Sequence, residues 1–222
     1  MRAPRAVVFD MDGLMFNTED VYWEVGCRVL DKRGCRFTRE LSDAMIGLPP
    51  QPSFEVMIRW HALGDGWRQL AAESEELFAE LLDDYLAPMP GLSTLLEVLE
   101  AAGVPKAICT SSTRRALTAV LSRFDFEPRF AFTLTADDIR QGKPHPEIYL
   151  LAAQRLGVRP HELVVLEDSE AGCRSAAMAG TFAVAVPSPH TARHDFGVAS
   201  LVVESLADPR LYDALQLKLP VT

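Results

Sequence analysis

The chain has 222 residues, with 31 acidic side chains against 22 Lys and Arg and a formal net charge of −9. That length fits one large domain or a domain with a smaller second unit, and 48% hydrophobic residues supply a core that a disordered acidic chain would lack. The acid excess argues against a nucleic-acid or anionic-membrane binder, which would gather Lys and Arg on one face.

The basic start, Met1-Arg2-Ala3-Pro4-Arg5, is followed by only four apolar residues, Ala6-Val7-Val8-Phe9. That is too short for a signal-peptide core, and no apolar run approaches the roughly 18 residues of a membrane span. Cys27, Cys35, Cys109 and Cys173 form no CxxC pair and have no His at zinc-finger spacing. Reduced, mostly buried thiols in a cytoplasmic protein are expected.

In chain order, 6–9 reads as a first strand. Residues 17–85 contain no convincing strand, only helical patterns. Thr18 is placed to cap the first helix, with Glu19 and Asp20 in its first turn and Gly34 as a stop. Trp67, Leu70, Ala71, Ser74, Leu77, Phe78, Leu81, Leu82 and Tyr85 keep helical spacing along one stripe, read as a core face. Pro88-Met89-Pro90-Gly91 then punctuates a return to strand–helix alternation. Further strands are predicted at 106–109, 132–135, 163–166 and 182–186, with a weaker one at 201–203. Such continuous apolar runs suit parallel strands covered on both faces. The expected architecture is a doubly wound, Rossmann-like α/β parallel sheet interrupted by an inserted all-helical unit. The boundaries are 1–16 and 88–222 for the core and 17–87 for the insert.

In an open α/β sheet, ligands bind beyond the carboxyl ends of the strands, so the residues just after each strand carry the most information. Strand one ends in Asp10-Met11-Asp12-Gly13. Two carboxylates there are costly unless a cation compensates, the alternative being a solvated acidic turn. The second strand leads into Thr110-Ser111-Ser112-Thr113, where hydroxyls and free N–H groups at a helix start form either an anion site or an ordinary cap by Ser112 or Thr113. The third leads to Gly142-Lys143-Pro144-His145-Pro146, offering a fixed positive charge or a surface lysine. The fourth ends in Glu167-Asp168-Ser169-Glu170-Ala171-Gly172. Carboxylates gathered from two strand ends make an oxygen-rich pocket suited to Mg²⁺.

In order and spacing, these segments resemble the four motifs of the haloacid dehalogenase-like hydrolase superfamily. Val7 to Leu14 resembles the first, Thr110 the second, Lys143 the third, and Glu167-Asp168-Ser169 with Gly172 the fourth. The likeness is closest to the phosphatase and β-phosphoglucomutase-like branch with a helical cap, and covers nearly the whole chain. It implies that Asp10 attacks a phosphate monoester to form an aspartyl-phosphate, while Asp12 serves as general acid and then base. It implies Mg²⁺ held by Asp10, the Asp12 carbonyl and Asp168, supported by Glu167, with Thr110, Lys143 and the N–H groups near Ser111 on the phosphoryl oxygens. Phe16, Tyr22 and Gly47 are the expected pocket residues, a small phosphorylated metabolite the partner, and a monomer the working form.

The chain departs from the branch at Asn17-Thr18-Glu19, where many relatives carry Asp-Thr-Glu. It also has no cation in the expected cap loop, Gly47-Leu48-Pro49-Pro50-Gln51-Pro52, to hold a second phosphate, and Tyr22 stands where the mutases have histidine. Hydrolysis is therefore favoured over a phosphomutase. Asp12, Glu167 and Asp168 argue against a true dehalogenase, and the helical insert argues against a receiver domain. A non-enzymatic phosphometabolite-binding protein is the remaining alternative. His145 is expected at a helix start or at the substrate rim rather than as a ligand.

Overall fold

The structure, a computed structural model, describes residues 4–45 and 50–218. They form two compact units, one of residues 18–86 and one of 4–17 joined with 87–218. Among the described residues, no helix is long and apolar enough to cross a membrane.

The first unit is helical: α1 (Thr18–Asp31), α2 (Arg39–Met45), α3 (Pro50–His61) and α4 (Trp67–Tyr85). The stripe read from sequence is the buried face of α4 through Leu70, Leu77, Phe78, Leu81 and Leu82, but its last residue, Tyr85, is exposed at the helix end. Tyr22 of α1 stacks on Phe78 of α4 with ring centroids 4.5 Å apart. Arg33 clamps the far end of the pair: its guanidinium donates twice to Asp65 and once to Glu73, and to the Val29 carbonyl. Two local expectations need correction. Pro50 and Pro52 belong to the first turn of α3 rather than to a loop. Proline fits there, where the missing N–H would have had no partner. Thr18 is the first helical residue, and its buried hydroxyl has no hydrogen-bond partner, so it caps nothing.

The second unit holds six strands: β1 (Ala6–Phe9), β2 (Lys106–Cys109), β3 (Thr133–Leu134), β4 (Leu163–Glu167), β5 (Phe182–Ala185) and β6 (Leu201–Val202). They form one sheet in the order β3-β2-β1-β4-β5-β6, each neighbouring pair parallel. Its helices are α5 (Leu92–Ala101), α6 (Arg114–Leu121), α7 (Glu147–Leu156), α8 (Glu170–Met178) and α9 (Pro209–Leu215). The sheet is Rossmann-like, with strands running outward in both directions from β1. All residues of β1, β2 and β4 are buried, as continuous apolar runs require. Behind the sheet, Ile148, Tyr149 and Ala152 of α7 and Ala176 of α8 pack on Ala6, Val8, Cys109 and Val165. The edge strands are shorter than their apolar runs: β3 keeps two of the four expected residues because it has a ladder partner on one side only.

Candidate active site

Register sets the site. Phe9 lies level with Leu166 on one side and Ile108 on the other. The next residues therefore emerge together: Asp10 from β1, Thr110 just past Cys109 of β2, and Glu167 and Asp168 at the end of β4. The Asp10 N–H continues the ladder onto the Leu166 carbonyl, and the Thr110 N–H onto that of Leu134. Asp10, Thr110, Glu167 and Asp168 are all buried.

One ammonium group joins two of these acids. Lys143 reaches in from the loop before α7, which includes a cis Lys143–Pro144 bond. Its Nζ donates to Asp10 Oδ1 at 2.5 Å, Glu167 Oε1 at 2.6 Å and the Cys109 carbonyl at 3.0 Å. The loop is closed by the Glu147 carboxylate, which accepts from the Arg140 and Gln141 N–H groups. His145 sits at the start of α7, as expected, its Nδ1 accepting from the Glu147 N–H. Glu167 is saturated: besides Lys143, Oε1 accepts from the Tyr149 phenol and Oε2 from Ser169 Oγ at 3.0 Å.

Asp12 faces the loop after β2. Its Oδ2 accepts from Thr110 Oγ1 at 2.7 Å and Ser112 Oγ at 2.8 Å, while its Oδ1 is buried with no hydrogen-bond partner. Thr113, not Ser112, caps α6, by accepting from the Ala116 N–H. Ser111 is exposed beside them. The loop is fastened from outside: Arg114 donates from its backbone to Asp137 and from its guanidinium to Asp138 and Thr133, and Ala136 N–H donates to the Ser112 carbonyl.

Electrostatics make this pocket short of positive charge. Asp10, Glu167 and Asp168 each place a carboxylate oxygen within 4.8 Å of the others, and Lys143 is the cation bound to two of them. Burial alone would lower the Lys143 pKa, but Asp10 and Glu167 outweigh it and hold the ammonium charged. Burial, opposed by Lys143 and reinforced by Glu167 and Asp12, raises the Asp10 pKa well above the usual carboxylate range. A cluster with this excess of anion takes up a proton or binds a cation. The donors are hard oxygens, so a divalent ion of the Mg²⁺ type fits them. Two glycines make the close approach possible: a Cβ on Gly13, whose φ is +74°, would lie 2.4 Å from Asp168 Oδ2, and one on Gly172 would lie 1.9 Å from the Glu167 carboxyl carbon.

Of the sequence-derived site residues, the structure brings Asp10, Asp12, Thr110, Lys143, Glu167 and Asp168 together, with Ser111 at the rim. Phe16 is fully buried, stacked on Phe124 at 4.9 Å and near Phe126, and has no surface to offer a ligand. Tyr22 is partly exposed in the helical unit. Gly47 lies outside the described residues. Sequence reading missed two participants. Ser112 stood only among the alternative caps and Tyr149 was not singled out; only the tertiary fold brings their hydroxyls to Asp12 and Glu167.

Residues 7–186 match the family described as haloacid dehalogenase-like hydrolase. The chain is 34% identical over 179 residues to a phosphorylated carbohydrates phosphatase of Thermotoga maritima, covering 79% of this chain and 81% of that one. It is 30% identical over 182 residues to the fructose-1-phosphate phosphatase YqaB of Escherichia coli, covering 81% and 95%. The crystal structure of CbbY from Rhodobacter sphaeroides in complex with phosphate superposes with a TM-score of 0.78 at 24% identity, over 92% of this chain and 95% of that one, and so shares the fold. With the family matched along most of its length and its strand-end residues converging in one pocket, the chain belongs to the haloacid dehalogenase-like hydrolases.

Proposed function

We propose that this hydrolase cleaves a small phosphate monoester, of the sugar-phosphate or nucleotide-type class, through an aspartyl-phosphate on Asp10. The observation that carries the reading is the buried Asp10 carboxylate held on one oxygen by Lys143, with a second carboxylate, Asp12, two residues further on. A tethered, buried carboxylate is placed for nucleophilic attack, which splits one difficult displacement into two easier ones. Asp12 has one oxygen tied by Thr110 and Ser112 and the other free of partners. It is suited to deliver a proton to the leaving alkoxide and later to take one from water. Lys143, Thr110 and the N–H groups around Ser111 offer donors to the phosphoryl oxygens.

Mg²⁺ would be held by Asp10, the main-chain carbonyl of Asp12 and Asp168. Glu167 supports it from behind, since its oxygens already accept three hydrogen bonds. When bound, the ion neutralises the charge between an anionic nucleophile and a phosphate dianion. The absence of a cation from residues 47–52 supports hydrolysis over internal phosphate transfer. The helical unit 18–86 is read as the cap that selects the substrate. Four unpaired cysteines support a reducing, cytoplasmic setting.

The test is phosphate release from p-nitrophenyl phosphate with and without Mg²⁺. Wild type should turn over only with the ion, and Asp10→Asn should lose turnover while keeping its thermal midpoint. A folded Asp10→Asn enzyme hydrolysing at the wild-type rate rejects the nucleophile assignment.

A further inference from the structure

The Tyr149 side chain is wholly buried, yet it carries a hydroxyl, and that hydroxyl is aimed at the site. It donates to Glu167 Oε1, the same oxygen that accepts from Lys143 Nζ. The Lys143 ammonium also lies 5.2 Å from the Tyr149 ring centroid, within reach of a cation–π attraction. One side chain thus touches both members of the ion pair that flanks Asp10. The rest of the ring packs among Ala6, Cys109, Ile148 and Ala152, where a phenylalanine would serve equally well. Packing accounts for the ring and leaves the hydroxyl to be explained.

An ammonium caught between two buried carboxylates divides its donors according to the charge each acceptor presents. A phenol donating to Glu167 Oε1 withdraws charge from that oxygen and leaves Asp10 with a larger share of Lys143. Burial, then the charges of Glu167 and Asp10, raise the phenol's pKa well above its ordinary value, so it stays a donor. Ser169 performs the same service for Glu167 Oε2, but touches neither the ammonium nor its acceptor oxygen.

We propose that Tyr149 is a positioning residue for phosphoryl transfer, holding Lys143 Nζ on Asp10 through its hydroxyl on Glu167 and its ring beside the ammonium. The proposal rests on Asp10 as nucleophile and on Lys143 as a hydrogen-bond donor to the phosphoryl oxygens. Without the hydroxyl, Glu167 draws Lys143 toward itself, and both the nucleophile and the incoming phosphoryl group lose part of their shared cation.

The experiment compares wild type, Tyr149→Phe and Asp10→Asn as full chains in Mg²⁺. Calorimetry with inorganic phosphate gives Kd and stoichiometry, and p-nitrophenyl phosphate hydrolysis gives kcat and KM. For Tyr149→Phe, Kd and KM should rise about fivefold and kcat should fall about tenfold, the scale of a lost orienting hydrogen bond behind a catalytic group. Stoichiometry and thermal midpoint should stay at wild-type values. Unchanged Kd and KM overturn the proposal. So does a fall in kcat matched by an equal fall in binding stoichiometry, which would be loss of folded protein. An inactive Asp10→Asn beside a wild-type-like Tyr149→Phe removes Tyr149 alone, whereas an active Asp10→Asn removes the nucleophile reading and the proposal with it.

Discussion

Replacing Lys143 with methionine tests what its charge contributes. The two side chains have similar length and volume, so the change takes a cation from between Asp10 and Glu167 and leaves the packing nearly intact. Breaking a buried pair in this way costs roughly 3–5 kcal/mol near neutral pH. The cost has a ceiling, because the folded variant can bind one extra proton. For a carboxyl of ordinary pKa 3.8, uptake costs about 1.4 kcal/mol per pH unit, hence about 4.4 kcal/mol near pH 7. The folded variant holds this proton and the unfolded chain does not, so the variant's stability falls as pH rises above 3.8. On acidification the gap to wild type should therefore narrow, because losing Lys143 lifts a carboxyl pKa further than burial already lifts that of Asp10 in the wild type. Added Mg²⁺ should narrow it as well, since a cation that binds the folded state stabilises the more anionic pocket more. Urea denaturation from about pH 5 to 8, with and without Mg²⁺, measures both effects. A gap that stays constant across that range would refute charge compensation as the role of Lys143.

Gly172→Ala forces a methyl group to within 2.0 Å of both Glu167 oxygens. Glu167 is walled in, so the substitution should cost roughly 1–3 kcal/mol and most of the turnover; thermal melting and hydrolysis assays would show it, and a wild-type-like variant would contradict the packing described. In the helical unit, Arg33→Met removes the donors to Asp65, Glu73 and the Val29 carbonyl and should destabilise α1 and α4 by roughly 1–2 kcal/mol. Hydrogen bonds from Arg33 lower the pKa of Asp65 and of Glu73 from 3.8 and 4.5. Their stabilisation is therefore complete above about pH 4.5 and is lost as the pH falls through the depressed values. Hydrogen exchange of α1 and α4 at neutral and acidic pH should show wild type approaching the variant only in acid.

The parts of this molecule that a linear reading captures are those whose physics is local. β1 and β2 carry the expected bounds because strands buried on both faces are apolar almost throughout, the exception being Lys106, which opens β2 and pairs with Glu100. Helix α4 does so because a 19-residue stripe leaves little ambiguity of period. The motif acids were legible because they follow two different strands, in the order and spacing of a recognisable set of motifs. Hydrogen bonds across long sequence separations were not. Ser112 reaches Asp12 over 100 residues and Tyr149 reaches Glu167 over 18, and neither residue type is unusual at its position. The start of α3 was misjudged because two prolines signal a loop and a helix's first turn equally well.

The helical insert leaves and re-enters the sheet unit through a pair of residues joined to each other. The Asn17 N–H donates to the Ala87 carbonyl at 3.1 Å, and the Ala87 N–H donates back to Asn17 Oδ1 at 2.6 Å. The sheet unit is thereby stapled shut below the insert, and 69 residues hang from it as a closed loop whose contents the staple does not sense. Such a junction behaves like a bayonet fitting. Asp10 and Asp12 lie only seven and five residues upstream of it, within the same unit as the staple. If the insert selects the substrate as proposed, chemistry and selectivity are carried by separate stretches of one gene, and exchanging the insert would be the way to try a new substrate preference.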